Sequence, residues 1–197
     1  MPHYYSKDQD SKPDIKKILI RVDNQEFYLY SGSGVFSKKR LDKGSKILIE
    51  NCIIKSNWAV HDLGCGNGVV GVSLKKIHPD ISVVMSDINK RAVKLAKKNI
   101  MLHSLEEIKV IQSDVYENIK ESFDTILLNP PQTAGKEVCY KMIEKSYAHL
   151  NKGGLVQVVA RHNKGGKSLS KKIKNVFGNM RTVAKKSGYR VYIGEKV

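Results

Sequence analysis

The chain has 197 residues, enough for one domain with a sizeable core, and no apolar run near the roughly 18 residues of a membrane-spanning helix. Lysine and arginine number 35 against 19 acidic residues, a net charge of +16, which argues against a cationic partner and for a polyanion reached by steering and counterion release. The 3 cysteines (Cys52, Cys65, Cys139) and 6 histidines are scattered, with neither a disulfide framework nor a metal-ligand spacing, so the chain reads as cytoplasmic and metal-free.

Residues 1–14 are polar, contain no signal-peptide core and read as a flexible tail. Ile15–Val22 and Glu26–Ser31 flank Asp23-Asn24-Gln25 and predict a hairpin. Ser31-Gly32-Ser33-Gly34 then turns the chain towards Phe36, so 15–40 is expected to be a hairpin with a lid. Leu41–Ser56 reads as a loop and a helix. From Trp58 onward strands and helices alternate: Trp58–Asp62, Val69–Ile77, Ser82–Ser86, Lys90–Leu102, Lys109–Ser113, Thr125–Asn129, Val138–Leu150 and Leu155–Arg161. Gly165–Phe177 predicts the last long helix. Asn179–Lys186 and Tyr189–Lys196, around Ser187-Gly188, predict a terminal antiparallel pair. The alternation predicts an α/β fold, Rossmann-like and doubly wound: a mostly parallel seven-stranded sheet with a C-terminal antiparallel strand, beside the small hairpin. Residues 15–197 are expected to form a single domain, with 41–197 as its core.

Two motifs carry the chemistry. Asp62-Leu63-Gly64-Cys65-Gly66-Asn67-Gly68 ends a strand and opens a helix. Its glycines allow positive φ and close approach of a ligand to the backbone, and the helix N-terminus faces the loop. Asp87, at the end of the next strand and followed by Ile88, suits the hydroxyls of a ribose. Gly66-Asn67-Gly68-Val69-Val70-Gly71 also satisfies the dinucleotide fingerprint, with Asp87 about 20 residues on. Against a dinucleotide stands Asp62, which would repel a pyrophosphate but suits a cationic ligand. Asp114 ends a further strand, where it is either a ligand-binding acid or a helix cap. Cys65 reads as a small residue that fits, not a nucleophile.

The second motif, Asn129-Pro130-Pro131, stops a central strand, because prolines cannot donate to a ladder, and it fixes a carbonyl direction. The Asn129 side-chain oxygen and the Pro130 carbonyl can accept the two N–H groups of a planar amine and aim its nitrogen. By itself such a triplet more often only terminates a strand. The cationic excess clusters in Lys38, Lys39 and Arg40, and again in Arg161, Lys164, Lys167 and Lys171, joined later by Lys172, Lys174, Arg181, Lys185 and Lys186.

Together these residues resemble the small-domain methyltransferases of the ribosomal RNA guanine-N2 type, especially short archaeal members that consist of the catalytic domain alone. Gly34-Val35-Phe36-Ser37, Leu41-Asp42-Lys43-Gly44-Ser45 and Gly135-Lys136-Glu137-Val138 stand where that family has similar segments. The resemblance implies S-adenosyl-L-methionine as cofactor, with Asp62 near its methionine end, Asp87 and Ile88 at the ribose, Asp114 at the adenine amine and Val115 against the ring. Asn129 and Pro130 become the catalytic pair. Phe36, Pro131 and Gln132 join the two basic clusters as the surface for ribosomal or transfer RNA. One position departs: many members follow Asn-Pro-Pro with an aromatic residue that stacks on the base, and here it is Gln132. Phe36 or Tyr140 would then have to stack. The alternatives are methylation of a protein glutamine amide or of another RNA base nitrogen, and an RNA-binding module without catalysis. The intact Asp62, Asp87 and Asn129 argue against the last.

Overall fold

The structure, a computed structural model, describes residues 14–35, 40–131 and 135–197. The expected tail up to residue 13, and Phe36, Lys38, Lys39 and Gln132, lie outside the described residues. The chain opens with a hairpin, β1 (Ile15–Val22) and β2 (Gln25–Gly32). Asp23 and Asn24 both have positive φ (46° and 59°), as a two-residue type I′ turn requires; the second strand therefore starts one residue earlier than expected. Helices and strands then alternate, except that β5 leads to β6 with no helix between them: α1 (Lys43–Asn51), β3 (Ala59–Leu63), α2 (Val69–Ile77), β4 (Ser82–Asp87), α3 (Lys90–Leu102), β5 (Ile108–Gln112), β6 (Phe123–Leu128), α4 (Lys136–Ser146), β7 (Leu150–Arg161) and α5 (Lys167–Phe177). The chain ends in β8 (Arg181–Lys186) and β9 (Tyr189–Glu195), joined by Ser187 and Gly188, both at positive φ.

Seven strands form one sheet in the order β5-β4-β3-β6-β7-β9-β8, in which only β9 runs antiparallel to its neighbours. The doubly wound expectation is met. Helices α1, α2 and α3 and the hairpin cover one face, with Leu48, Val72, Leu74, Val60 and Met85 in the core between them. Helices α4 and α5 cover the other, packing Ile143, Leu169, Ile173 and Phe177 onto Ile126, Leu128, Val156 and Val158. The central strands are apolar on both faces because both are covered.

The largest boundary shifts flank β7. The helix expected over Val138–Leu150 gives way to a 3-10 turn at Tyr147–His149, and β7 starts at Leu150, well before the expected Leu155. Asn151, Gly153 and Gly154 hid this extension, since polar and glycine residues read as a loop; Gly153 N–H instead donates to Lys196 O (2.7 Å) beyond β9. The segment His162–Gly166 winds as a wide irregular turn, with Gly165 at φ 97°, before α5 begins at Lys167.

The order of strands decides where the site lies. After β3 the chain winds outward through β4 to β5, then returns to β6 on the other flank of β3. Adjacent crossovers there leave on opposite faces, and a crevice opens at the carboxyl ends of β3 and β6. The register aligns its rims: Leu63 pairs with Ser86 on one side and Leu128 on the other. Gly64, Asp87 and Asn129, the next residue of each strand, therefore stand at one level.

Candidate active site

A cavity of about 290 Å³ occupies this crevice. Asp62, Gly64, Cys65, Gly66, Asn67, Asp87, Ile88, Asp114, Val115, Asn129, Pro130 and Pro131 all line it. Twelve positions singled out in the sequence are thus brought to one wall, from four strand ends. Gly68 caps α2 at φ 84°; a Cβ there would come within 3.1 Å of Met85 Sδ and 3.2 Å of Ala96. Gly64 and Gly66 also have positive φ, which keeps side chains out of the loop. The loop is tied down from below, where the N–H groups of Gly64 and Cys65 both donate to Ser86 O, at 2.8 and 2.9 Å.

The cavity floor is acidic. Asp62 is 3% exposed, and its Oδ2 accepts one hydrogen bond, from Gly71 N at 2.9 Å. Burial pushes its carboxyl up to about 7, opposed by the Gly71 bond and reinforced by the charge of Asp87. Asp87 accepts from Gly66 N (2.8 Å) and Asn89 N (2.9 Å), one on each oxygen; burial raises it too, against those backbone bonds. A carboxylate has about four acceptor positions, so Asp87 retains acceptor capacity beyond its backbone bonds. Among the described residues no cation pairs with either acid. His61 adjoins Asp62 in β3 but bonds Ser86 Oγ (2.8 Å) and stacks on Phe123; burial pushes it down to about 3, so it is neutral and offers no counter-charge. The buried Asp62 and the half-buried Asp87 beside a glycine loop fit a ligand with positive charge and vicinal hydroxyls.

Other predicted residues take different partners. The Asn67 side chain is turned to the hairpin and donates to Tyr30 O (3.1 Å). Cys65 is buried and its thiol lies well above the ordinary range, through burial first and then the charges of Asp87 and Asp62; it is no nucleophile. Asp114 lies 3.6 Å from Lys141 Nζ, a cavity residue that the sequence did not suggest. Val115 holds φ 53°, a strained backbone for a β-branched residue. No aromatic residue lines the cavity among the described residues, and Tyr140 lies off it beneath the Lys172 ammonium (5.1 Å), so the expected stacking role of Tyr140 has no support in this geometry.

At the end of β6, Asn129 Nδ2 donates to Ser45 Oγ (3.0 Å) and lies 3.4 Å from both Asp42 carboxylate oxygens. Sequence reading quoted Asp42, Gly44 and Ser45 but gave them no role; only the packing of α1 against the crevice reveals one.

Arg161, Lys164, Lys167 and Lys171 are exposed beyond the carboxyl end of β7, on the site's side of the sheet. Because β9 starts there, the β8–β9 turn joins them: His162 N–H donates to Gly188 O (2.9 Å). His162 is held below its usual value by desolvation and by the charges of Arg190, Lys167 and Lys185. Arg161 lies 5.2 Å over the Tyr189 ring. Arg40 is exposed at the start of the α1 loop.

The sheet order, the glycine loop and the acids at three strand ends define a Rossmann-like S-adenosylmethionine-dependent methyltransferase. The chain belongs to the methyltransferase small domain family, which it matches over residues 26–193. It is 36% identical over 198 residues to the uncharacterized protein YbxB of Bacillus subtilis, covering 99% of this chain and 98% of that protein. It is 33% identical over 196 residues to ribosomal RNA small subunit methyltransferase C of Actinobacillus pleuropneumoniae, covering 95% of this chain and 58% of the relative. The 16S rRNA N2 G1207 methyltransferase of Thermus thermophilus, solved in complex with AdoMet and guanosine, superposes with a TM-score of 0.79 at 23% identity, over 93% of this chain and 51% of that one. The chain thus spans about half the length of these two ribosomal RNA methyltransferases. Among the described residues no helix is long and apolar enough to cross a membrane, and no group of three or more His, Cys, Asp or Glu residues could hold a metal ion.

Proposed function

We propose that the protein methylates a guanine base nitrogen, the exocyclic N2, in ribosomal RNA. The observation that carries this reading is the meeting, in one crevice, of Asp62 and Asp87, which pair with no cation among the described residues, with the acceptors Asn129 and Pro130. S-adenosylmethionine supplies a methyl group activated on a sulfonium. The residues of the chain do the rest. Asp87 offers its remaining acceptor capacity to the ribose hydroxyls, Asp62 balances the positive charge, and Asp114 and Val115 hold the adenine. Asn129 Oδ1 and the Pro130 carbonyl take the two N–H groups of the guanine amine, which directs its lone pair at the methyl group. The nitrogen gains the methyl group as the bond to sulfur breaks, then releases one proton to solvent. No strong base is needed, since that proton becomes acidic only as the methyl arrives.

RNA is supported as substrate by the exposed cations Arg161, Lys164, Lys167 and Lys185 and the half-buried Arg190, gathered at the carboxyl end of β7, and by the activities of the ribosomal RNA methyltransferase relatives. The crevice is too narrow for a duplex, so the base must be unpaired or flipped, at a cost of about a few kcal/mol. The test is incubation with methyl-labelled cofactor and either undermethylated ribosomal RNA or ribosomal protein, followed by nucleoside and amino-acid analysis. N2-methylguanosine is expected. Asn129→Ala should cut its formation by about two orders of magnitude while leaving cofactor affinity nearly intact. Label in a glutamine amide instead would replace the RNA reading.

A further inference from the structure

Helix α1 begins at the crevice wall. Asp42 caps it, accepting from Gly44 N at 2.8 Å and Ser45 N at 3.2 and 3.3 Å. The same carboxylate faces Asn129, 87 residues away in sequence, and Ser45 Oγ completes the contact. A carboxylate only accepts, so the amide end pointing at Asp42 is the NH₂ group and Oδ1 is the opposite end. Gly44 makes this possible. A Cβ there would sit 3.0 Å from Asp42 Oδ1, 3.1 Å from Asn129 Oδ1 and 3.3 Å from Nδ2, so the amide lies close against the first turn of the helix and a side chain there would press on both groups.

We propose that Asp42 and Ser45, packed over Gly44, are positioning residues that orient the Asn129 amide and strengthen its oxygen as acceptor for the substrate amine. The inference rests on the methyl-transfer reading above. Its physics is that of a conjugated amide. N–H groups donated to an anion shift electron density onto the oxygen, so hydrogen bonds on its two ends reinforce each other. The anion also removes an alternative. An unheld amide can rotate by half a turn and present NH₂ to the substrate amine, donor against donor. The N-terminus of α1 stabilises the Asp42 charge that does this.

One test needs no substrate. The Asn129 side-chain amide, assigned in a ¹⁵N correlation spectrum by its loss in Asn129→Ala, should exchange slowly with solvent, and at least tenfold faster in Asp42→Ala and Ser45→Ala. Unchanged exchange overturns the contact whatever the enzyme does. The second test is single-turnover methyl transfer to a guanine-containing RNA. Asp42→Asn should lower the rate at saturation about tenfold, with KM for RNA and cofactor affinity within twofold of the parent. In an Asn129→Ala background the same change should cost nothing more. If the two losses multiply, Asp42 only caps a helix and the positioning role fails. An RNA left unmethylated by the parent protein, with amide exchange still slowed, would strike the methyl-transfer reading and leave the Asp42–Asn129 contact standing.

Discussion

Asp62 combines features that destabilise a fold: it is buried, accepts a single hydrogen bond and, among the described residues, pairs with no cation. Its carboxyl is pushed up to about 7, against 3.8 in an unfolded chain. The native state therefore holds a proton that the unfolded state has already lost over this window. Stability contributed by protonated Asp62 is complete below about pH 4 and drains away as pH rises to about 7. The difference is on the order of a few kcal/mol. Urea denaturation at pH 5 and pH 8 should show Asp62→Asn losing less stability over that interval than the parent; equal losses would mean that Asp62 is not strained. Cofactor binding should respond with the opposite sign. A cation favours the ionised acid, so affinity for S-adenosylmethionine should rise as pH goes from 6 to 8, with protons released on binding, and Asp62→Asn should abolish that release in calorimetry.

At the scale of elements, two buried amides do the work of absent strands. Asn99 of α3 is fully buried; its Oδ1 accepts from Tyr30 N (2.7 Å), and its Nδ2 donates to Tyr30 O (3.0 Å) and Asn67 O (2.8 Å). It thus satisfies the outward edge of β2 and the glycine loop together. Gln157 of β7 does the same for Ile53 N and O (2.8 and 2.7 Å), just after α1. Asn89 Nδ2 adds a bond to Gly34 O (2.8 Å). The hairpin is therefore latched to the glycine loop. Asn99→Ala removes the side-chain partner of two backbone groups, Tyr30 N and Asn67 O, each costing about 1–3 kcal/mol when left unpaired, while Tyr30 O keeps Asn67 Nδ2. A net loss of about 2–4 kcal/mol is expected, with hydrogen-exchange protection at the Tyr30 amide falling by at least an order of magnitude. Retained protection at Tyr30 would show that the latch is not Asn99.

At the scale of the whole molecule, +16 is distributed rather than uniform. The antiparallel course of β9 returns the β8–β9 turn to the carboxyl end of β7, so that Lys185 and Arg190 join Lys167 around His162. The acids Asp62 and Asp87 lie within the crevice, on the same carboxyl side of the sheet as those cations. RNA phosphates would thus meet the rim and the cofactor the floor, with opposite signs of charge separating the two ligands. If about six phosphates are neutralised, RNA affinity should fall about 10³-fold between 50 and 200 mM salt. Replacing Lys167, Lys185 and Arg190 by Ala should flatten that slope by about three charges and leave cofactor affinity unchanged. A flat slope in the parent protein would remove RNA from consideration.

Much of this was legible along the chain, for local reasons. Apolar runs bounded by glycine, proline or acid marked the central strands; Gly64, Gly66 and Gly68 marked the loop; Pro130 and Pro131 marked the end of β6. Each signal depends on backbone conformation or period, which a residue carries with it. The sheet's early start at Leu150 was not legible, because Asn151, Gly153 and Gly154 look like a loop until β6 and the chain end supply their partners. Nor was the grip of Asp42 and Ser45 on Asn129, the latch of Asn99, or the place of Lys141 beside Asp114. Those are contacts between polar side chains on different elements, without period or spacing in sequence. The chain alone determined the elements and the acids at their ends. Strand order and register decided which of them meet, because only the return of β6 to the flank of β3 brings Asn129 level with Gly64 and Asp87.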